Sequence, residues 1–432
     1  MSKLALFGGA PTVTAAPLPW PIVREDDIAE VERTLRRSRD EPANLTSVLP
    51  GGVVAEFEAA VSARFGGAYC ASTNSGGAAL HAALMAVGAG AGDEVIVSPY
   101  TWGQSVACVL QQCAVPVFAD IDPRTYTLDP ASVAAAVSPH TKAIVVPHIY
   151  GQPADMAGIG AVAREHGLFV IEDCAQATGA EFGGEPVGTI GHIGCFSIGS
   201  GKQIIGGEGG FVLTRDRALF DRLLLATQHP VRGAQQIEDE NVRGLLDSFI
   251  YTYRIHPLAA AICLRQLEML DTWNDTRRRQ LRRVSAELTG LPGLDPVFEQ
   301  PDGVHVYHSY SPFYRDEELD GLDRAIYVAA LKAEGVPIAA SYVGVPLHLT
   351  PRFQERRWSF GGGLPWSAAR REISYAEGTC PVAEERCARR DLSVYLGPNL
   401  YEDNTEYLQQ IVAAFHKVTE RRDELAGHAV AA

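Results

Sequence analysis

From about residue 53 the chain alternates between two apolar periods. Val53 to Phe65 and Gly76 to Val87 carry apolar side chains at helical spacing, whereas Glu94 to Ser98, Ala143 to Pro147 and Leu168 to Glu172 are short strand-like runs. Each run is separated from the next by a stretch long enough for a crossover helix, so the pattern predicts a parallel sheet with helices on both faces. Two more apolar runs between Ile193 and Thr214 flank a glycine-rich turn, and Arg215 to Ala226 returns to helical spacing. Pro257 opens a long helix that continues past Asp271 into the charged run Asn274 to Glu287, the expected bridge between two lobes.

Beyond Pro292 the texture changes. His305 to Tyr314 alternates like an antiparallel strand, Leu322 to Glu334 reads as an amphipathic helix, and Glu402 to Leu425 closes the chain helically. A smaller α+β lobe is expected there. The resulting division is an N-terminal arm (1–20), a large domain (21–275) and a small C-terminal domain (276–432). The weakly patterned ending Ala426 to Ala432 is expected to fray.

The length of 432 residues exceeds what one hydrophobic core usually organises, which supports two lobes. Hydrophobic residues at 46% and charged residues at 21% exclude a disordered chain. Lys plus Arg number 37 against 52 Asp plus Glu, and the net charge of −15 repels phosphodiester backbones, so nucleic acid is not an expected partner. The eight cysteines form no CxxC and mostly sit in apolar runs, where a reduced thiol packs as a small hydrophobe. No apolar stretch nears the roughly 18 residues of a membrane span, and the opening breaks at Gly8-Gly9. No membrane or metal is expected, and a cytoplasmic setting fits. Asn44-Leu45-Thr46 is read as a chance match to a glycosylation acceptor.

Chemistry concentrates around Lys202, in Phe196 to Lys202 followed by Gly206-Gly207-Glu208-Gly209-Gly210. A P-loop needs Gly where Phe196 stands and Ser or Thr where Gln203 stands, and GxGxxG fails at Val212. Taken alone, a lysine beside such a turn is usually solvated surface. Three other stretches change that reading. Glu172-Asp173-Cys174-Ala175-Gln176 ends an apolar strand, where α/β sheets place ligand sites. Ser72 to Gly77 runs into a helix, offering hydroxyls and free N–H groups to an anion. Pro99-Tyr100-Thr101-Trp102 follows another strand end. Each has a plain alternative, a helix cap or a core Trp. Together, amine, strand-end acid, anion cradle and aromatic face match the needs of pyridoxal 5′-phosphate.

These motifs resemble the DegT/DnrJ/StrS sugar aminotransferases, fold-type I pyridoxal-phosphate enzymes, over residues 20–425. The resemblance implies that Lys202 carries the cofactor and Asp173 pairs with its ring nitrogen. It implies that Gln176 contacts the ring oxygen, Trp102 stacks on the ring, and Ser75, Gly76 and Ser197 hold the phosphate. Tyr253 to Ala260 matches the stretch that reaches into the neighbouring subunit's site, which places Tyr253 near a cofactor and implies a homodimer. Thr252 stands where many members have Asn, and Gly199-Ser200-Gly201 stands where many have His-Ala-Thr. The Gly-Lys form, the stretch Leu6 to Val13 and the long connection from Lys202 to Tyr253 resemble the branch acting on keto-cyclitols and aminoshikimate-type rings. The implied reaction moves an amino group from L-glutamine or L-glutamate to a keto-cyclitol or keto-sugar in aminoglycoside-type biosynthesis. The alternatives are a nucleotide-ketosugar aminotransferase, an aminohydroxybenzoate synthase-like dehydratase using the same Lys202 and Asp173, and a non-enzymatic regulator. Sugar 3-dehydrases of this fold have His at the lysine position, and Lys202 argues against them. His148 and His348 are expected to be structural, and the loop Gln228 to Tyr251 is expected to shape the acceptor pocket with the His305 to Tyr314 strand.

Overall fold

The computed structural model describes residues 3–49, 51–358 and 363–426. The fraying expected at 427–432 lies outside the described residues.

Seven strands form the central sheet: β1 (Tyr69–Thr73), β2 (Glu94–Val97), β3 (Val115–Phe118), β4 (Thr141–Pro147), β5 (Phe169–Asp173), β6 (Ile193–Ser197) and β7 (Gly210–Thr214). They lie in the order β1-β7-β6-β5-β4-β2-β3. β7 is antiparallel to both of its neighbours, and the remaining pairs are parallel. Helices cover both faces, so β2, β3 and β7 are buried along their whole length and read as continuous apolar runs rather than alternating ones. The register Pro147↔Asp173 brings the carboxyl ends of β4 and β5 level, as Ser197↔Gly210 joins β6 to β7.

The helix Gly76–Ala86 is rich in alanine and buried on nearly every side between the sheet and the helix Arg217–Thr227. The single long helix expected after Pro257 is two helices, Pro257–Leu267 and Leu270–Leu288. The fully buried Arg277 on the second donates to the carbonyls of Val306 and Gly397, tying it to the chain beyond.

A separate core gathers Leu281, Val284 and Leu288 with Tyr310, Leu331, Leu396, Ile411 and Phe415, and Leu4 of the N-terminal arm enters it. The arm is held there by the Val13 N–H on the Glu334 carbonyl (2.9 Å) and by the Glu334 carboxylate, which also meets Lys417 (2.8 Å). Part of the later chain returns to the sheet: Phe353, Tyr375, Cys380 and Ala383 pack in the core that contains Phe118.

The strand expected over His305 to Tyr314 forms only at Phe313–Tyr314, which pairs with Leu294–Asp295. Upstream, the Val306 and His308 N–H groups donate to the carbonyls of Gly151 (3.0 Å) and Tyr150 (2.6 Å), so the backbone spends its hydrogen bonds on a turn instead of a neighbouring strand. The approach is close enough that a Cβ on Gly151 (φ +87°) would lie 3.0 Å from the His308 nitrogen. Among the described residues no helix is long and apolar enough to cross a membrane.

Candidate active site

The carboxyl ends of β1, β2, β4, β5 and β6 converge on a hollow of about 370 Å³, with the turns carrying Lys202 and Tyr253. This is where an α/β sheet opens a crevice for ligands. Ser75, Gly76, Trp102, Asp173, Gln176, Ser197, Lys202 and Tyr253, all singled out from the sequence, line it together.

Asp173 is the last residue of β5 and is buried. Its Oδ2 accepts from the Ser105 hydroxyl (2.6 Å) and its Oδ1 from the Ala175 N–H (3.1 Å), which fixes the carboxylate at the floor of the hollow. Lys202 sits on the turn between β6 and β7, its N–H bonded to the Gly199 carbonyl (3.1 Å). Burial lowers the pKa of its amine below the ordinary lysine value, and the negative charge of Asp173 works against that shift. A larger share of the uncharged, nucleophilic form follows.

Ser75 caps the helix Gly76–Ala86, its hydroxyl accepting from the Ala78 N–H (3.0 Å). The first N–H groups of that helix have no carbonyl partner within it and carry its positive dipole end. A Cβ on Gly76 would stand 2.8 Å from the Ser197 Cβ, so glycine lets the end of β6 press its hydroxyl against the helix start.

Gln176 is held at both ends. The Tyr150 N–H donates to its Oε1 (2.7 Å), its Nε2 donates to the Tyr342 hydroxyl (3.0 Å), and Gln203 fixes its carbonyl (2.6 Å). Behind it lies the fully buried Asp391, which accepts from the Tyr100 hydroxyl and from the Tyr342 N–H (3.0 Å), while Tyr100 also meets the Tyr150 hydroxyl. Burial pushes the Asp391 carboxyl and these phenols up from their ordinary values, so the phenols stay protonated and donate. Trp102 is 63% exposed at the mouth, its ring 6.5 Å from Tyr342, and there a second hollow of about 790 Å³ begins.

Residues 29–414 match the DegT/DnrJ/EryC1/StrS aminotransferase family. The chain belongs to that family. The L-glutamine:2-deoxy-scyllo-inosose aminotransferase of Streptomyces kanamyceticus is 35% identical to it over 98% of this chain and 99% of its own. The UDP-N-acetyl-3-dehydro-alpha-D-glucosamine 3-aminotransferase of Acidithiobacillus ferrooxidans is 36% identical over 82% and 86%. Among solved structures, the aminotransferase from Psychrobacter cryohalolentis superposes with a TM-score of 0.80 at 28% identity, covering 94% of this chain and 100% of that one. The chain is thus an aminotransferase of a pyridoxal-phosphate-dependent family, with the α/β fold of that class.

The segment at Tyr253 borders this subunit's own hollow. The Asn74 N–H and Nδ2 donate to the carbonyls of Tyr253 (2.6 Å) and Thr252 (3.2 Å), and the Tyr253 hydroxyl pairs with His81 Nδ1 (2.7 Å). Thr252 therefore contributes its backbone where the family Asn would offer a side chain.

His148 lines the hollow but is structural as expected: its Nε2 pairs with Glu172 (3.0 Å) and its Nδ1 accepts from the Ala154 N–H (3.0 Å). Glu172 also takes the N–H groups of Gly188, Ile190 and Gly191, so the nearby trio His148, Glu172 and Cys174 is occupied in bracing a strand end. His348 pairs with Glu384 (2.9 Å) and is buried. Sequence reasoning missed Ser105, Tyr150, Tyr342, Asp391 and His308. Ser105 was findable, three residues past Trp102 on the helix after β2; the others carry no local motif.

Proposed function

We propose that this aminotransferase holds pyridoxal 5′-phosphate in the smaller hollow and moves an amino group from L-glutamine or L-glutamate to a keto-cyclitol or keto-sugar, in aminoglycoside-type biosynthesis. The observation that carries the reading is the sharing of one hollow by the Lys202 amine, the Asp173 carboxylate and a helix start. The full-length likeness to an L-glutamine:2-deoxy-scyllo-inosose aminotransferase supports the donor and the acceptor class. A phosphorylated pyridine fits the donor set: helix N–H groups with the Ser75 and Ser197 hydroxyls for the phosphate, and a buried carboxylate for the ring nitrogen. When bound, the cofactor supplies an electron sink and the carbon that carries the amino group between donor and acceptor.

The chain's own residues do the rest. Lys202 would hold the cofactor through Nζ, and its amine would take and return protons at that atom, which burial favours by keeping part of it uncharged. Asp173, steadied by Ser105 and Ala175, keeps a proton on the ring nitrogen. Gln176, its amide pinned by Tyr150 and Tyr342, would meet the ring oxygen, and Trp102 would cover the ring face. Tyr253 closes the rim of the phosphate cradle. A homodimer is part of the reading, because Leu245, Phe249 and Tyr251 beside this rim are 66%, 91% and 50% exposed. So is a cytoplasmic setting, in which all eight cysteines remain free.

The decisive experiment pairs Lys202→Ala with borohydride reduction in the presence of pyridoxal phosphate. Mass spectrometry should find the cofactor tethered to the wild type and not to the variant, and glutamine-dependent amination of 2-deoxy-scyllo-inosose should fall by several orders of magnitude. A tethered cofactor in the variant would reassign the lysine. The 36% likeness to an aminotransferase of a UDP-linked ketosugar favours a second reading, with a nucleotide ketosugar as acceptor, and the same assay tests it.

A further inference from the structure

The larger hollow opens beside Lys202 and Trp102, and His308 lines it with hydrogen-bonding capacity unspent. Neither ring nitrogen has a partner among the described residues; Nδ1 is shut away from solvent altogether. His148, the histidine lining the smaller hollow, is committed at both nitrogens, to Glu172 and to the Ala154 N–H. His308 is half-buried, and an imidazole that lines a hollow with no protein partner for its ring is placed to meet a ligand.

His308 is also fixed in place. Its N–H is bonded to the Tyr150 carbonyl, the next hydroxyl, of Ser309, donates to the Val394 carbonyl (3.1 Å), and its own carbonyl oxygen lies where a Cβ on Gly397 would be 2.1 Å away. The backbone cannot shift to find the ring another partner. Burial, with the positive charges of Lys202 and Arg277, keeps the ring uncharged. With Nδ1 closed off, Nε2 is the ring nitrogen that can meet a ligand, as donor or acceptor according to the tautomer, and a hydroxyl can serve either way.

The surroundings narrow the ligand further. Among the described residues lining the hollow, the charged ones are Lys202 and Glu208. Lys202 is assigned to the cofactor, and Glu208 would repel a phosphate, as would the chain's net charge of −15. Anionic acceptors are usually gripped by Arg or Lys. Instead Trp20, Trp102, Tyr342 and Tyr395 offer aromatic faces to a saturated ring.

We infer that His308 recognises the acceptor, its imidazole hydrogen-bonding a hydroxyl of an uncharged polyol ketone that carries neither phosphate nor nucleotide. The inference rests on the reading above that the acceptor is a ring ketone. The test measures kcat/KM with L-glutamine for scyllo-inosose and for its monodeoxy forms, 2-deoxy-scyllo-inosose among them, in the wild type, His308→Phe and His308→Asn. In the wild type, removal of one hydroxyl should cost about tenfold, the worth of one neutral hydrogen bond. In His308→Phe the same removal should cost nothing, because the partner is already gone. His308→Asn, smaller and polar, repeats the comparison should the first variant fold poorly. A merely structural histidine would lower kcat/KM for every acceptor alike and leave the hydroxyl preference intact, and that result overturns the inference. Turnover of a UDP-linked ketosugar as efficient as that of the free ketone overturns it too. A wild type that aminates no free ring ketone removes the acceptor reading itself, and the inference falls with it.

Discussion

Burial lowers the pKa of the Lys202 amine, and it does the same to two histidines that the chemistry does not use. His81 is brought from 6.5 down to about 4, and His305 to about 3, in each case chiefly by desolvation. A histidine depressed in the fold is protonated first in the unfolded chain, so the unfolded state gains protons as pH falls below 6.5 and stability declines. Carboxylates add to the decline only at lower pH: Glu94, where burial pushes up and Arg371 and Ser138 pull down further, stays below its ordinary 4.5. The melting temperature should therefore fall between about pH 6.5 and pH 5, and His305→Gln should flatten that slope. An unchanged slope in scanning calorimetry would mean that His305 is charged in the fold. None of this is readable from the letters H and K, since the shifts come from neighbours that the chain supplies from far away.

At the scale of elements, the proposed phosphate cradle is a strand end, a helix start and a second strand end meeting at one glycine. Gly76→Ala would improve helix propensity by at most about 1 kcal/mol. Against that, the new methyl would stand 2.8 Å from the Ser197 Cβ and 3.3 Å from its Cα, so the end of β6 must move off the helix start. The expected outcome is a fold that persists by circular dichroism while affinity for pyridoxal phosphate, titrated by fluorescence, drops tenfold or more. Unchanged affinity would place the phosphate elsewhere. Both helices named before Pro99 and every strand of the parallel set that was named were legible, because full burial leaves an unmistakable apolar run. The strand read at His305 to Tyr314 was not, because alternation records which side chains are buried and not which backbone groups pair.

At the scale of the whole molecule, the larger hollow lies where the sheet's carboxyl edge, the N-terminal arm and the later chain meet, and Phe249 is the most exposed aromatic side chain among the described residues. Phe249, 91% exposed with Leu245 and Tyr251 nearby, is the kind of surface a second copy covers. Light scattering should find a dimer, and Phe249→Glu should shift it toward monomer with a parallel loss of activity in the same fractions. A fully active wild-type monomer would refute the dimer. The arm's packing on the later chain through Leu4 and Glu334 also brings Trp20 to the larger hollow, a placement with no signal in the first twenty residues alone.

The sequence by itself determined the α/β layering, the place of Asp173 at a strand end and of Lys202 on the turn after another, and the capped helix start beside them, because each is written within a few consecutive residues. Only the tertiary structure decided the hold on Gln176 by Tyr150 and Tyr342, the buried Asp391 behind them, the folding of Tyr253 onto its own hollow, and the unspent nitrogens of His308. Those residues reach the site from segments up to about 240 positions apart, as Tyr150 and Asp391 are. A local pattern encodes the direction of a strand or helix, whereas a hydrogen bond across the fold depends on how the elements pack, and that information is spread over the whole chain.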